Sequence, residues 1–119
     1  MTYVECFVVP VPEAKRAIYE AAARTMADVY MDLGALRVVE VWPDDVSEGE
    51  VTSFPRSVLL EEGEASVVAW IEYPDKATRD ACNAGLMDHP KVKAMTEPVP
   101  IDGKRMIFGG FVPFLDVRS

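Results

Sequence analysis

Two stretches of this chain are apolar at nearly every position, residues 3–9 (YVECFVV) and 65–73 (ASVVAWIEY). Alternate side chains of a strand point to opposite faces, so a strand of this kind belongs in the middle of a sheet whose two faces are both covered. Their β-branched and aromatic content supports strands, and Pro10 and Pro12 are expected to stop the first. Everything else must be arranged around two central strands.

The intervening segments supply the remaining elements. From 13 to 33, Ala14, Ala17, Ile18, Ala21, Ala22, Met26, Val29 and Leu33 recur at three- and four-residue steps, the period of an amphipathic helix. Pro12 suits its first turn and Gly34 its C′ position. Residues 35–42 (ALRVVEVW) read as a strand closed by Pro43-Asp44-Asp45. Residues 47–64 have no sustained period and form a long excursion, with one helical turn at 56–59. Its apolar Val51, Phe54, Val58, Leu59 and Leu60 require docking, with Arg56 close to a carboxylate. Asp75 caps a second long helix running to Asp88, a short helical segment follows at 91–96, and 106–117 (MIFGGFVPFLDV) is the last strand.

The order β-α-β-β-α-β is the ferredoxin-like split βαβ arrangement, an α+β fold with a four-stranded antiparallel sheet and both long helices on one face. At 119 residues and 13.2 kDa, residues 1–119 make one domain. The other face of the sheet is too apolar to meet water, which predicts a homodimer of the dimeric α+β barrel type with two bare faces packed together.

Parity then assigns side chains. Val67, Ala69 and Ile71 form a compact aliphatic set facing the helices, which leaves Val68, Trp70 and Glu72 on the bare face. Small Cys6 with Val4 and Val8 suits the helix side of the first strand, placing Tyr3, Glu5, Phe7 and Val9 on the bare face. Glu40 and Trp42 share a parity that resembles the Trp70 and Glu72 pair, so they join them. The bare face thereby combines aromatics with Glu5, Glu40 and Glu72. A buried carboxylate must reach solvent, meet a cation or take up a proton. Either the acids sit at the rim or pair across the dimer with Arg37, Arg56, Lys104 or Arg105, or one of them stands in an aromatic-walled cleft as a general base. The candidate ligand-binding residues are therefore Glu5, Phe7, Glu40, Trp42, Arg56, Trp70, Glu72 and Arg105. No catalytic residue is singled out. Lys104 and Arg105 follow the Asp102-Gly103 turn, and their preferred role is structural pairing with Asp44 and Asp45 over binding a ligand anion.

Several functions are excluded. Twelve Lys and Arg against 20 Asp and Glu give a net charge of -8, which repels phosphate backbones and anionic membrane surfaces. No apolar run reaches the roughly 20 residues of a membrane span, and Cys6 and Cys82 lie far apart, as reduced residues of a cytoplasmic protein do. His89, the lone histidine, lacks the partners of a metal site or triad, Ser53 suits a turn, and Gly109-Gly110 marks a bulge or close backbone approach. No metal or cofactor is expected: the glycine fingerprint of a nucleotide fold is absent, and a haem would have only His89.

The segments YVECFVVPVP (3–12), VTSFPR (51–56), WIEYPDKATRD (70–80) and DGKRMIFGGF (102–111) together resemble the bacterial YbaA-like family, which has no assigned function. Glu5-Cys6 stands where the family pattern has Asp-Gly, keeping the acid and changing its neighbour. The resemblance implies a dimeric α+β barrel and carries over no catalytic residue. Relatives of that architecture include cofactor-independent monooxygenases, isomerases and pure ligand binders. The expected function is binding of a small molecule at the sheet face or dimer cleft, the alternative a cofactor-independent monooxygenase or isomerase.

Overall fold

The computed structural model describes residues 2–119. Four strands, β1 (Tyr3–Pro12), β2 (Arg37–Val41), β3 (Glu64–Tyr73) and β4 (Ile107–Phe111), form one sheet in the order β2-β3-β1-β4, every neighbouring pair antiparallel. This is the ferredoxin-like α+β arrangement. β1 and β3 pair along their whole lengths, from Tyr3↔Tyr73 to Pro12↔Glu64. β1 continues through both prolines. β4 pairs only with Val4 to Val8, so beyond Val8 one edge of β1 is open and a proline's missing N–H can face it without breaking a ladder bond.

The helices are α1 (Arg16–Asp32), entered through a 3-10 turn at Glu13–Lys15, the single turn α2 (Phe54–Ser57), α3 (Lys76–Gly85) and the short α4 (Pro90–Lys93). Asp75 caps α3 by accepting from the Thr78 N–H at 2.7 Å, and Ser53 caps α2 by accepting from the Arg56 N–H at 3.2 Å. His89 caps α4 through Nδ1, which leaves Nε2 to meet Asp32 of α1 at 3.0 Å. Gly34 ends α1 at a φ of +109°, where an added Cβ would lie 2.6 Å from the Thr78 methyl.

The register overturns part of the face assignment. Glu5 pairs with Ile71, Phe7 with Ala69 and Glu40 with Ala69, so all three share the face of Ala69 and Ile71, which α1 covers. Tyr3, Val9, Val11 and Trp42 lie there too. Bulk rather than compactness decides the orientation of β1: Tyr3, Val9 and Val11 fill the core, and small Cys6 is left outside. The bare face carries Val4, Cys6 and Val8, Val68, Trp70 and Glu72, Arg37, Val39 and Val41, and Ile107, Gly109 and Phe111. Glu72 accepts there from Arg37 at 3.3 Å and Trp70 Nε1 at 3.2 Å. The two free cysteines therefore lie on opposite faces, Cys82 buried beneath the Tyr73 hydroxyl.

The excursion docks through α2, which packs on β1 and β3 and brings Phe54 over Ser66 and Val68. Pro10 and Ser66 have bare-face parity yet are buried because that end is covered, and Val58 is sealed with them. Arg56 meets no carboxylate among the described residues; its guanidinium donates to the Glu50 carbonyl at 3.1 Å. β4 is shorter than expected. It ends at Phe111, and residues 112–119 run on without a strand partner, Phe114 98% exposed.

One polar cluster fastens α3 to the sheet. Glu5, only 4% exposed, accepts from Arg79 Nη1 at 2.9 Å and from Asn83 Nδ2 at 3.4 Å. The same guanidinium donates to the Tyr3 hydroxyl at 3.2 Å and lies over the Tyr3 ring. Tyr3 in turn rests on Gly110, where any Cβ would collide with the phenol, which is the close backbone approach expected of the glycine pair. Removing one partner of a buried pair strands the other charge, a loss of about 3 kcal/mol or more, whereas replacing both with apolar residues is often tolerated. Arg79→Ala is therefore expected to lower the unfolding free energy measured by urea titration by an amount of that order, and Glu5→Leu with Arg79→Leu to recover much of it. An Arg79→Ala protein within about 1 kcal/mol of the parent, well below that loss, would show that the pair does not hold α3.

Candidate functional site

The core of the helix-covered face is divided. One buried cluster gathers Tyr3, Ala35, Ile71, Tyr73 and Cys82 near α3, another Val9, Val11, Tyr19 and Val67 near the start of α1, and Phe7 touches both. Between them lies a cavity of about 230 Å³. Its roof is the stripe Tyr19, Ala22, Ala23, Met26 and Tyr30 of α1, its floor Phe7, Val9, Val38, Ala69 and Ile71, and Val99, Ile101 and Met106 close one side. The cavity exists because alanine stands at 22, 23 and 69, where larger residues would bring roof and floor into contact.

Glu40 is the one acid or base, tyrosine aside, in that wall. It is an exposed residue of edge strand β2, but its carboxylate turns onto the buried Tyr19 hydroxyl, which donates to it. Burial raises the Glu40 pKa above the ordinary carboxylate value, and the Tyr19 hydrogen bond pulls against that shift. Burial likewise raises the Tyr19 pKa, and pushes Tyr30 up to about 12, so both phenols stay protonated at neutral pH. The arrangement offers an apolar chamber with a carboxylate at its mouth and two phenols beside it.

The other expected site residues are dispersed. Phe7 lies in the cavity floor. Trp42 closes the outer end of the helix face: its Nε1 donates to Glu20 at 2.7 Å, Arg16 lies over its ring, and Tyr19 meets it edge-on. Glu5 belongs to the α3 fastening, Trp70 and Glu72 to the bare face, and Arg56 to the excursion. Arg105 is pinned by a bidentate pair with Glu64, both contacts 2.7 Å, by Asp102 at 2.9 Å and by the Leu59 carbonyl at 3.1 Å. Its pairing is with those residues rather than with Asp44 and Asp45. By holding Leu59 it also secures a residue at a φ of +49°, where the chain leaves α2. Strand parity alone does not reach Tyr19, Tyr30 or Arg79, which lie on helices. For the first two the sequence does carry a signal: Tyr19, Ala23, Met26 and Tyr30 follow one another at four, three and four residues, an aromatic stripe with a small middle.

Among the described residues no helix is long and apolar enough to cross a membrane, and no three His, Cys, Asp or Glu side chains converge as a metal site. A family model described as a protein of unknown function (DUF1428) matches residues 2–103. The chain belongs to this family. The uncharacterized protein YbaA of Escherichia coli K12 is 47% identical over 116 residues, covering 98% of this chain and 99% of that protein, and the Shigella flexneri protein of the same description matches equally. A crystal structure described as a dimeric ferredoxin-like protein from an uncultured marine organism superposes with a TM-score of 0.60 over 98% of this chain and 100% of the other. At 14% identity that likeness shows the shared fold.

The Arg105 cluster predicts a pH dependence. The Arg105 hydrogen bonds hold both Glu64 and Asp102 below their ordinary carboxylate values. A depressed folded-state pKa adds stability that is present above the unfolded value and is lost as pH falls through the folded one. Arg105→Ala is therefore expected to lower the melting temperature at pH 7, with the gap from the parent narrowing as pH drops below about 4. A gap that is the same at pH 7 and pH 3 would contradict the assignment.

Proposed function

We propose that this protein is a homodimer that binds a small, largely apolar molecule in the cavity between α1 and the sheet. The observation that carries the reading is the cavity itself. An apolar void of about 150 Å³ is known to take up benzene, so about 230 Å³ is room for a substituted ring. A void of this size weakens a core, and three alanines, each replaceable by a larger apolar residue, hold it open. Ala69→Leu tests this. Filling the floor is expected to raise the melting temperature while abolishing the stabilisation that millimolar toluene gives the parent. A parent protein indifferent to toluene would overturn the binding reading.

The dimer is supported by what the chain leaves uncovered. Phe111 and Ile107 on the bare face beside the half-buried Trp70, Phe54 at its border and Phe114, Leu115 and Val117 in the tail make more exposed apolar surface than monomers usually carry. Two bare faces packed about a twofold axis would bury it, with the tails free to lie over the partner. Trp70→Glu, which brings like charges toward that axis, is expected to sediment as a monomer where the parent sediments as a dimer at micromolar concentration. A monomeric parent would rule the dimer out.

A second reading has one observation in its favour. Glu40, with its raised pKa, is suited to act as a general base inside an apolar chamber, as a cofactor-independent isomerase or monooxygenase requires. Turnover of a bound ligand, lost in Glu40→Gln with binding retained, distinguishes it from simple binding.

A further inference from the structure

The polar groups of the cavity wall narrow the kind of ligand, an inference that rests on the binding reading above. Apart from Glu40 and the two tyrosines, the lining side chains are hydrocarbon, aromatic or thioether. No lysine, arginine or histidine is among them. Arg24 lines the separate groove on the outer side of Tyr19 and Glu40.

Tyr19 donates its hydroxyl hydrogen to Glu40 Oε1, and no other described residue donates to that carboxylate. An ionised carboxylate only accepts hydrogen bonds. A ligand head placed against the free oxygen must therefore donate one. An anionic head would instead meet a like charge with no cation in the wall to offset it, at a desolvation cost that apolar contacts on a molecule of this size do not repay. An ammonium head would pair with the carboxylate, but it must first shed a far larger hydration energy than a hydroxyl, and a single carboxylate at the rim of an otherwise apolar wall does not repay it. A hydroxyl needs a single acceptor.

We propose that the cavity selects a small apolar molecule bearing one neutral hydroxyl, its ring or hydrocarbon end between Phe7 and Tyr30 and its hydroxyl donating to Glu40. Carboxylates and phosphates of the same shape are rejected.

The test compares benzyl alcohol, toluene and benzoate, which share a seven-carbon aromatic frame, by calorimetric titration of the intact protein at pH 8. Benzyl alcohol is expected to bind about tenfold more tightly than toluene, the worth of one hydrogen bond to a charged acceptor, and benzoate not measurably. In Glu40→Leu the alcohol and toluene should bind alike. Should that variant fold poorly, the nearly isosteric Glu40→Gln is expected to reduce the preference for the alcohol and to admit benzoate. Toluene binding as tightly as the alcohol in the parent, or benzoate binding as well as the alcohol, overturns the proposed selectivity and leaves the binding cavity standing. Failure of all three to bind removes the binding reading itself, and this inference with it.

Discussion

The ten-residue antiparallel pairing of β1 with β3 decides which side chains every other element meets. Once Val67, Ala69 and Ile71 are turned toward the helices, the register carries Val9, Phe7 and Glu5 with them, and β2 brings Val38 and Glu40 to the same face. A slip of one residue would exchange the two faces throughout. If β1 slipped, Glu5 would turn away from Arg79, and if β3 slipped, Trp70 would be set beneath α1, where the cavity now lies. The many apolar side chains sealed along this pair, among them Tyr73, Val11 and Val67, supply about 1.5–3 kcal/mol each for the larger ones, which holds the register against such a slip.

Stability and cavity pull in opposite directions on α1. The helix is anchored at both ends, by Tyr19 against Trp42 and the 99–106 segment, and by Tyr30 and Leu33 against the cluster near α3. Its middle turn carries the small Ala22 and Ala23 across from Ala69. Anchoring both ends keeps roof and floor apart, since collapse onto the void would have to displace two well-packed clusters together. A helix held at one end only would settle, and the chamber would close.

Much of the fold is legible in the sequence because long periodic segments leave few alternatives. The helical stripe of residues 13–33, the Asp75 cap and the two apolar strands lead to the observed element order. The excursion's docking is read from its apolar residues, but only Val58 is sealed and Phe54 half covered, while Val51 and Leu59 stay exposed. What parity within one strand does not supply is the orientation of β1. Both of its faces are apolar, so the choice rests on the partner strand and on a cation far along the chain, Arg79, which no local pattern links to Glu5. For the same reason strand position groups the three acids together, whereas the structure separates them by the partner each finds. The expected β4 is too long because 106–117 has strand composition throughout, yet a strand needs a neighbour, and the edge of β1 opposite it engages only five residues.

The contrast among the three acids is what distinguishes a site from a scaffold here. Glu72, on the bare face, meets Arg37 and Trp70, and Glu5, on the covered face, meets Arg79 and Asn83; each is paired with a cation through Oε2. Glu40 shares the covered face with Glu5 but makes no ion pair among the described residues; it accepts from a phenol, and Arg24 only lines the groove beside it. Its neighbours Val38 and Ala69 are apolar, and the described group that calls for an acceptor at that position is the buried Tyr19 hydroxyl. The Glu40 carboxylate, on an exposed residue at the mouth of an apolar cavity, gives Oε1 to that phenol and leaves Oε2 without a donor among the described residues. A hydrogen-bond donor arriving from outside the chain can take the place of solvent at that oxygen, and the cavity beside Glu40 is where such a donor has room to stand.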